Sequence, residues 1–125
     1  RLLKPGGRLV ILNNRCDLNN ALTAEFRRIV DEALGPHYAE RHGNGRASIR
    51  VSTLFRDYAT EHHANVRAFD AEGFVGYARS SSRYGGEIRD TLDRRLIEAY
   101  RRHADADGLA RFAWITEVHS AVRAP

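Results

Sequence analysis

Arg1-Leu2-Leu3-Lys4-Pro5-Gly6-Gly7-Arg8-Leu9-Val10-Ile11-Leu12-Asn13-Asn14 is the stretch whose reading decides the fold. Its first residues read as the end of a helix, and Pro5-Gly6-Gly7 as the turn that punctuates it. Arg8–Leu12 then reads as a strand with no polar alternation. Such a run is expected where both faces of a strand are covered, as in a parallel sheet packed by helices on each side. Little chain precedes it here, so its cover and one neighbouring strand are expected to come from a missing N-terminal half. The polar run Asn13-Asn14-Arg15-Cys16-Asp17 is expected to form a loop.

The 125 residues suffice for one modest domain, and the sequence lacks Met altogether. It has no apolar run of the roughly 18–20 residues that a membrane span requires. The single Cys16 excludes an intrachain disulfide and a Cys-rich metal site, which suits a reducing compartment and a cytoplasmic protein. The net charge of +4 raises the question of nucleic acid, and all but one of the 20 basic side chains are Arg. The arginines are dispersed, however, and stand beside carboxylates: Arg27 and Arg28 near Asp31 and Glu32, Arg94 and Arg95 near Asp93 and Glu98. A phosphate-tracking surface clusters its cations, so these read as solvated helix faces and no nucleic-acid partner is expected.

Beyond the first strand, Asn19 or Asn20 caps a helix over 21–34, which places Leu22, Phe26, Ile29, Val30 and Leu34 on one side. Gly35-Pro36 ends it. Residues 37–48 read as a loop and Ser52–Arg56 as a short helical turn. Asp57–Phe69 alternates as a strand, with Tyr58, Thr60, His62, Ala64, Val66 and Ala68 on one face. Asp70 opens a short helix to about Ser80, a Ser-rich loop follows, and residues 87–104 form an amphipathic helix. Ala110–Arg123 is the last strand. The fold class expected is α/β: three strands with flanking helices, the C-terminal part of a doubly wound Rossmann-like sheet. The most apolar strand lies at its broken edge and the last two strands are antiparallel.

Leu2-Leu3-Lys4-Pro5-Gly6-Gly7-Arg8-Leu9-Val10-Ile11 resembles the segment of class I S-adenosylmethionine-dependent methyltransferases that leads into the fifth strand of their seven-stranded sheet. Asn13-Asn14-Arg15-Cys16-Asp17 looks like the post-strand loop of the ubiquinone/menaquinone methyltransferase-like branch, although position 13, often aromatic there, is Asn. Gly73–Tyr84 and Arg111–His119 fit in order and spacing. The resemblance spans nearly the whole chain but only the C-terminal half of the family's domain. It implies a methyltransferase when complete, acting on a small molecule, with S-adenosyl-L-methionine bound mainly by the missing N-terminal half. The family's glycine-rich loop is not in the sequence. Neither Gly43-Asn44-Gly45 nor Gly85-Gly86 follows an apolar strand and opens a helix, so neither replaces it. This chain alone is expected to be inactive, and to partner the missing half or itself through the exposed strand edge. The alternative is a standalone α/β binding or dimerisation module without catalysis.

The candidate substrate-binding residues are Asn13, Asn14, Arg15 and Asp17, at the carboxyl end of a strand, with Ser82 and Tyr84 as a second patch. In open α/β sheets the carboxyl ends of the strands face the ligand crevice. Arg15 supplies forked donors for an anion, and Asn14 a partner for a carbonyl or hydroxyl. His62 and His63, adjacent on a strand, point to opposite faces and do not share a metal ion. His62 or His63 as a proton acceptor competes with the plainer reading of a satisfied strand histidine. Cys16 is expected to be accessible, with Arg15 lowering its pKa. No catalytic residue is identified, because methyl transfer mainly asks a protein to hold acceptor and methyl in line.

Overall fold

The computed structural model describes residues 3–35, 44–80 and 89–125. In chain order the elements are β1 (Arg8–Cys16), α1 (Ala21–Leu34), α2 (Asn44–Val51), β2 (Phe55–Phe69), α3 (Ala71–Arg79), α4 (Arg89–His103) and β3 (Ala110–Arg123). The strands form one antiparallel sheet in the order β1-β3-β2. Gly6 and Gly7 bond Arg123 at the start of β1, at 2.9 and 2.8 Å, whereas Asp17 past its end bonds Ala113, so β3 runs opposite to β1. Ala124 donates to the Leu54 carbonyl at 2.9 Å, which pairs the end of β3 with the start of β2. β1 and β2 are therefore parallel to one another with the last strand between them. The expected α/β class, the antiparallel final pair and the position of β1 at an edge are all observed.

The chain divides into two compact units, each containing parts of all three strands. Unit 2 comprises residues 16–36 and 65–114. Asn20 starts α1 by accepting from the Thr23 N–H at 2.9 Å, which satisfies one of the orphan amides of the first turn. Gly35 ends α1 at φ 83°, a torsion that disfavours any residue with a Cβ. Asp70 caps α3 through the Gly73 N–H at 2.7 Å. α4 packs against both α1 and α3. Phe26, Phe69, Phe74, Tyr100, Phe112 and Trp114 meet Leu22, Ile29, Leu92 and Leu96 in one apolar core. Its rings approach mostly edge-on or tilted, as their quadrupoles favour; Phe26 and Phe112 lie 5.1 Å apart at 89°. Buried Thr23 accepts the Ala113 N–H at 2.9 Å, tying α1 to β3.

Unit 1 comprises residues 1–15, 37–64 and 115–125. Lys4-Pro5-Gly6-Gly7 closes a turn through Gly7 N–H to Lys4 O at 2.9 Å, with Gly6 at φ 74°. The described residues cover one face of the first strand and leave the other open. Leu9 and Ile11 are half-buried, but Val10 and Leu12, on the opposite face, are 51% and 68% exposed. Side chains alternate across a strand whatever their polarity, so the run's uniform residue type hid a two-sided environment. The expected loop at Asn13–Cys16 is strand, since Asn13 and Asn14 continue the β1–β3 pairing through Glu117 and Thr116. Asn44–Val51 is helical rather than loop, and Ser52–Arg56 is a turn running into β2. The part of the expected loop before position 44, the Ser-rich loop from residue 81 to 86 and the expected first two residues of the helix over 87–104 lie outside the described residues.

Candidate functional site

One face of unit 1's sheet collects polar side chains from all three strands. Asn13 and Arg15 of β1 stand beside Glu117 of β3. The Arg15 Nε donates to Glu117 Oε1 at 2.9 Å, and the Asn13 Nδ2 lies 3.5 Å from Oε2. From β2, the His62 Nε2 lies 3.7 Å from Glu117 Oε1. His119, two residues along β3, places its Nε2 3.6 Å from Glu117 Oε2. The His119 Nδ1 meets the Tyr58 hydroxyl at 2.7 Å and the Thr60 hydroxyl at 3.3 Å.

A change of register in β2 assembles this face. Leu54 pairs with Ala124, an even number with an even one, yet Tyr58, Thr60 and His62 stand beside the odd-numbered His119 and Glu117. One extra residue enters β2 between these points. Asp57 lies there at φ 53°, the one non-glycine among the described residues with positive φ. A residue in the left-handed region is a hallmark of a bulge, and Asp tolerates that conformation better than most. Without the added residue, Ala59 and Glu61 would face Glu117 and His119 in place of Tyr58, Thr60 and His62.

Burial is uneven across the cluster. The Glu117 side chain is only 15% exposed and that of His119 11%, whereas Arg15 and His62 are half open to solvent. His119 Nε2 is sealed from water and makes no hydrogen bond. Arg15 engages Glu117 through Nε, and the described residues offer its two Nη groups no partner. A guanidinium, an amide and two imidazoles thus surround one carboxylate, the imidazoles donating or accepting according to their tautomer.

The expected site residues separate. Asn13 and Arg15 join the cluster. Asn14 points to the opposite face, where its Oδ1 accepts from the Thr116 hydroxyl at 2.6 Å. Asp17 belongs to unit 2, where its carboxylate accepts the Asn19 N–H at 3.1 Å as a local turn. Ser82 and Tyr84 lie outside the described residues. His62 and His63 do face oppositely; His63 turns to Glu61 at 3.3 Å. Cys16 is corrected: it packs against unit 2's core, and burial raises its thiol pKa, outweighing the opposing influence of Arg27. Glu117 and Tyr58 were not singled out from the sequence. The alternation of β3 does place Glu117 and His119 together, and that was the available signal.

Among the described residues no group of three or more His, Cys, Asp or Glu is arranged to hold a metal ion. Gly6-Gly7 leads into a strand, Gly35 ends a helix, and the Gly73 N–H is already bonded to Asp70. No described helix is long and apolar enough to cross a membrane. A scan against protein-family models finds no match to this chain, and a search of the curated proteins finds none.

Proposed function

We propose that this chain is the substrate-facing C-terminal part of a class I S-adenosylmethionine-dependent methyltransferase acting on a small molecule. One observation carries the reading: β3 lies between β1 and β2 and runs antiparallel to both, leaving the other edge of β1 without a partner strand among the described residues. This order suits the antiparallel margin of a larger doubly wound sheet, and the exposure of Val10 and Leu12 suits a strand that other segments cover. In this reading the cofactor's amino acid and ribose portions are held outside this chain. What the chain contributes is binding and orientation of the acceptor, which is most of what methyl transfer asks of a protein.

The chain is expected not to bind S-adenosylmethionine by calorimetry. Fused after the first four strands and intervening helices of a class I methyltransferase, it is expected to complete a domain that binds the cofactor and passes labelled methyl to a small acceptor. A fusion that folds, protects the Leu9–Leu12 amides from exchange and still binds no cofactor would overturn the reading. The same exposed pair favours one rival, a dimerisation module that pairs two copies of β1. It requires a symmetric dimer of the unfused chain, with those amides already protected.

A further inference from the structure

The strand face around Glu117 is built to receive an anion. Glu117 sits deep and is ringed by Arg15, Asn13, His62 and His119, with no second carboxylate described among these contacts. It engages the guanidinium from the side, through Nε at 2.9 Å. That leaves the planar edge formed by the two Nη groups free, on a side chain about half exposed. A guanidinium presented this way matches the two oxygens of a carboxylate, and its partner Glu117 spares the ligand much of the cost of ordering a flexible side chain. His62, also half exposed, brings an imidazole from the next strand but one. His119 closes the floor: its buried Nε2 lacks a hydrogen bond while Tyr58 holds its Nδ1. Ile11 and Ile115, both half-buried, share the face by strand parity and give the site an apolar border.

We infer that Arg15, positioned by Glu117 and assisted by His62, binds the carboxylate of a small organic acid with an apolar body. The inference rests on the methyltransferase reading only for the word substrate, and it names the substrate's class. The open Nη edge of Arg15, held by Glu117, is a property of the strand face itself.

The test needs no cofactor. Benzoate is titrated into the full chain and followed by the side-chain NMR signals of Arg15 and His62, with benzamide as the neutral isostere and phenyl phosphate as the tetrahedral anion. Saturable shifts with benzoate and none with benzamide are expected. Arg15→Lys keeps the charge but loses the fork and the Nε tether, so affinity is expected to fall about tenfold or more. Glu117→Gln makes the face more positive, yet is expected to weaken benzoate several-fold because the guanidinium is no longer held. Equal binding of benzamide, tighter binding by phenyl phosphate, or an Arg15→Lys variant that binds as well as the parent would each overturn the carboxylate site. Tighter benzoate binding by Glu117→Gln would reduce the arrangement to a charged surface and overturn the positioning role. Loss of the benzoate site leaves the fusion experiment above unaffected. A fusion that transfers no methyl while benzoate still binds counts against the methyltransferase reading alone.

Discussion

Unit 2 and unit 1 are ordered by different forces. In unit 2, Leu22, Ile29, Phe74, Leu92, Leu96 and Phe112 are sealed from water, and the aromatic rings interlock around them. In unit 1, Ala121 is the single core hydrophobic among the described residues, while Val10, Leu12, Val51 and Leu54 are exposed. What fixes side-chain positions there is the cross-strand polar network centred on Glu117. Apolar packing tolerates little rearrangement, whereas polar groups half open to water exchange partners cheaply. The difference teaches where recognition chemistry resides in this molecule: on the face that the core does not claim.

The sharpest break in that comparison is a pair of truncations. Phe112→Ala, at a fully buried ring, is expected to cost about 3–5 kcal/mol, by lost transfer energy and an unfilled cavity. Leu12→Ala, at a side chain already 68% exposed, is expected to stay within about 0.5 kcal/mol. Urea midpoints of the two variants measure both. Comparable costs would mean that the outward face of β1 is packed against something, and the contrast between the units would fail.

Hydroxyl removal sharpens it at smaller scale. Thr23→Val leaves the Ala113 N–H buried without its acceptor, at an expected cost of about 1–3 kcal/mol. Thr60→Val removes a hydroxyl that water readily replaces, and is expected to remain within about 0.5 kcal/mol. Equal losses in denaturation midpoints would show that unit 1's network holds the fold as firmly as the core does.

Much of this was legible from the chain. The spacing of Leu22, Phe26 and Ile29 gave the extent of α1, and the alternation around Trp114 gave that of β3, because one buried face imposes one period. The β1 segment announced its strand but not its surroundings, because residue type and environment decouple at an edge: Val10 and Leu12 are apolar but open. The extension of β1 through Asn13–Cys16 was missed for the converse reason. Asn disfavours strands intrinsically, but pairing with Thr116 and Glu117 overrides that preference. Half of the candidate site followed from the sequence, in Asn13 and Arg15. Glu117 and His119 share a face by the alternation of β3, but Tyr58, Thr60 and His62 join them only through a one-residue insertion near Asp57, which shifts the parity of β2 against its partner and which no periodicity announces.

The smallest expected effect is electrostatic, and a single probe confines it to unit 2. Glu25 accepts from the Arg102 guanidinium and from His103 Nε2, the latter at 2.8 Å, and these partners hold its carboxyl below the ordinary glutamate value of 4.5. A carboxyl depressed in the folded state takes up its proton more readily when unfolded. Its stabilisation is therefore complete above the ordinary value and is lost as pH falls through the folded one. For partners this exposed the whole effect is expected to be under about 1 kcal/mol. Trp114, the sole tryptophan, lies in unit 2, so its fluorescence reports that unit's unfolding. By this signal Glu25→Gln is expected to lower the urea midpoint slightly above about pH 5, with the gap to the parent closing toward about pH 3. A gap that stays constant across that range would assign the loss to packing rather than to charge, and the ion pairs of α1 and α4 would then count for as little as isolated surface pairs usually do.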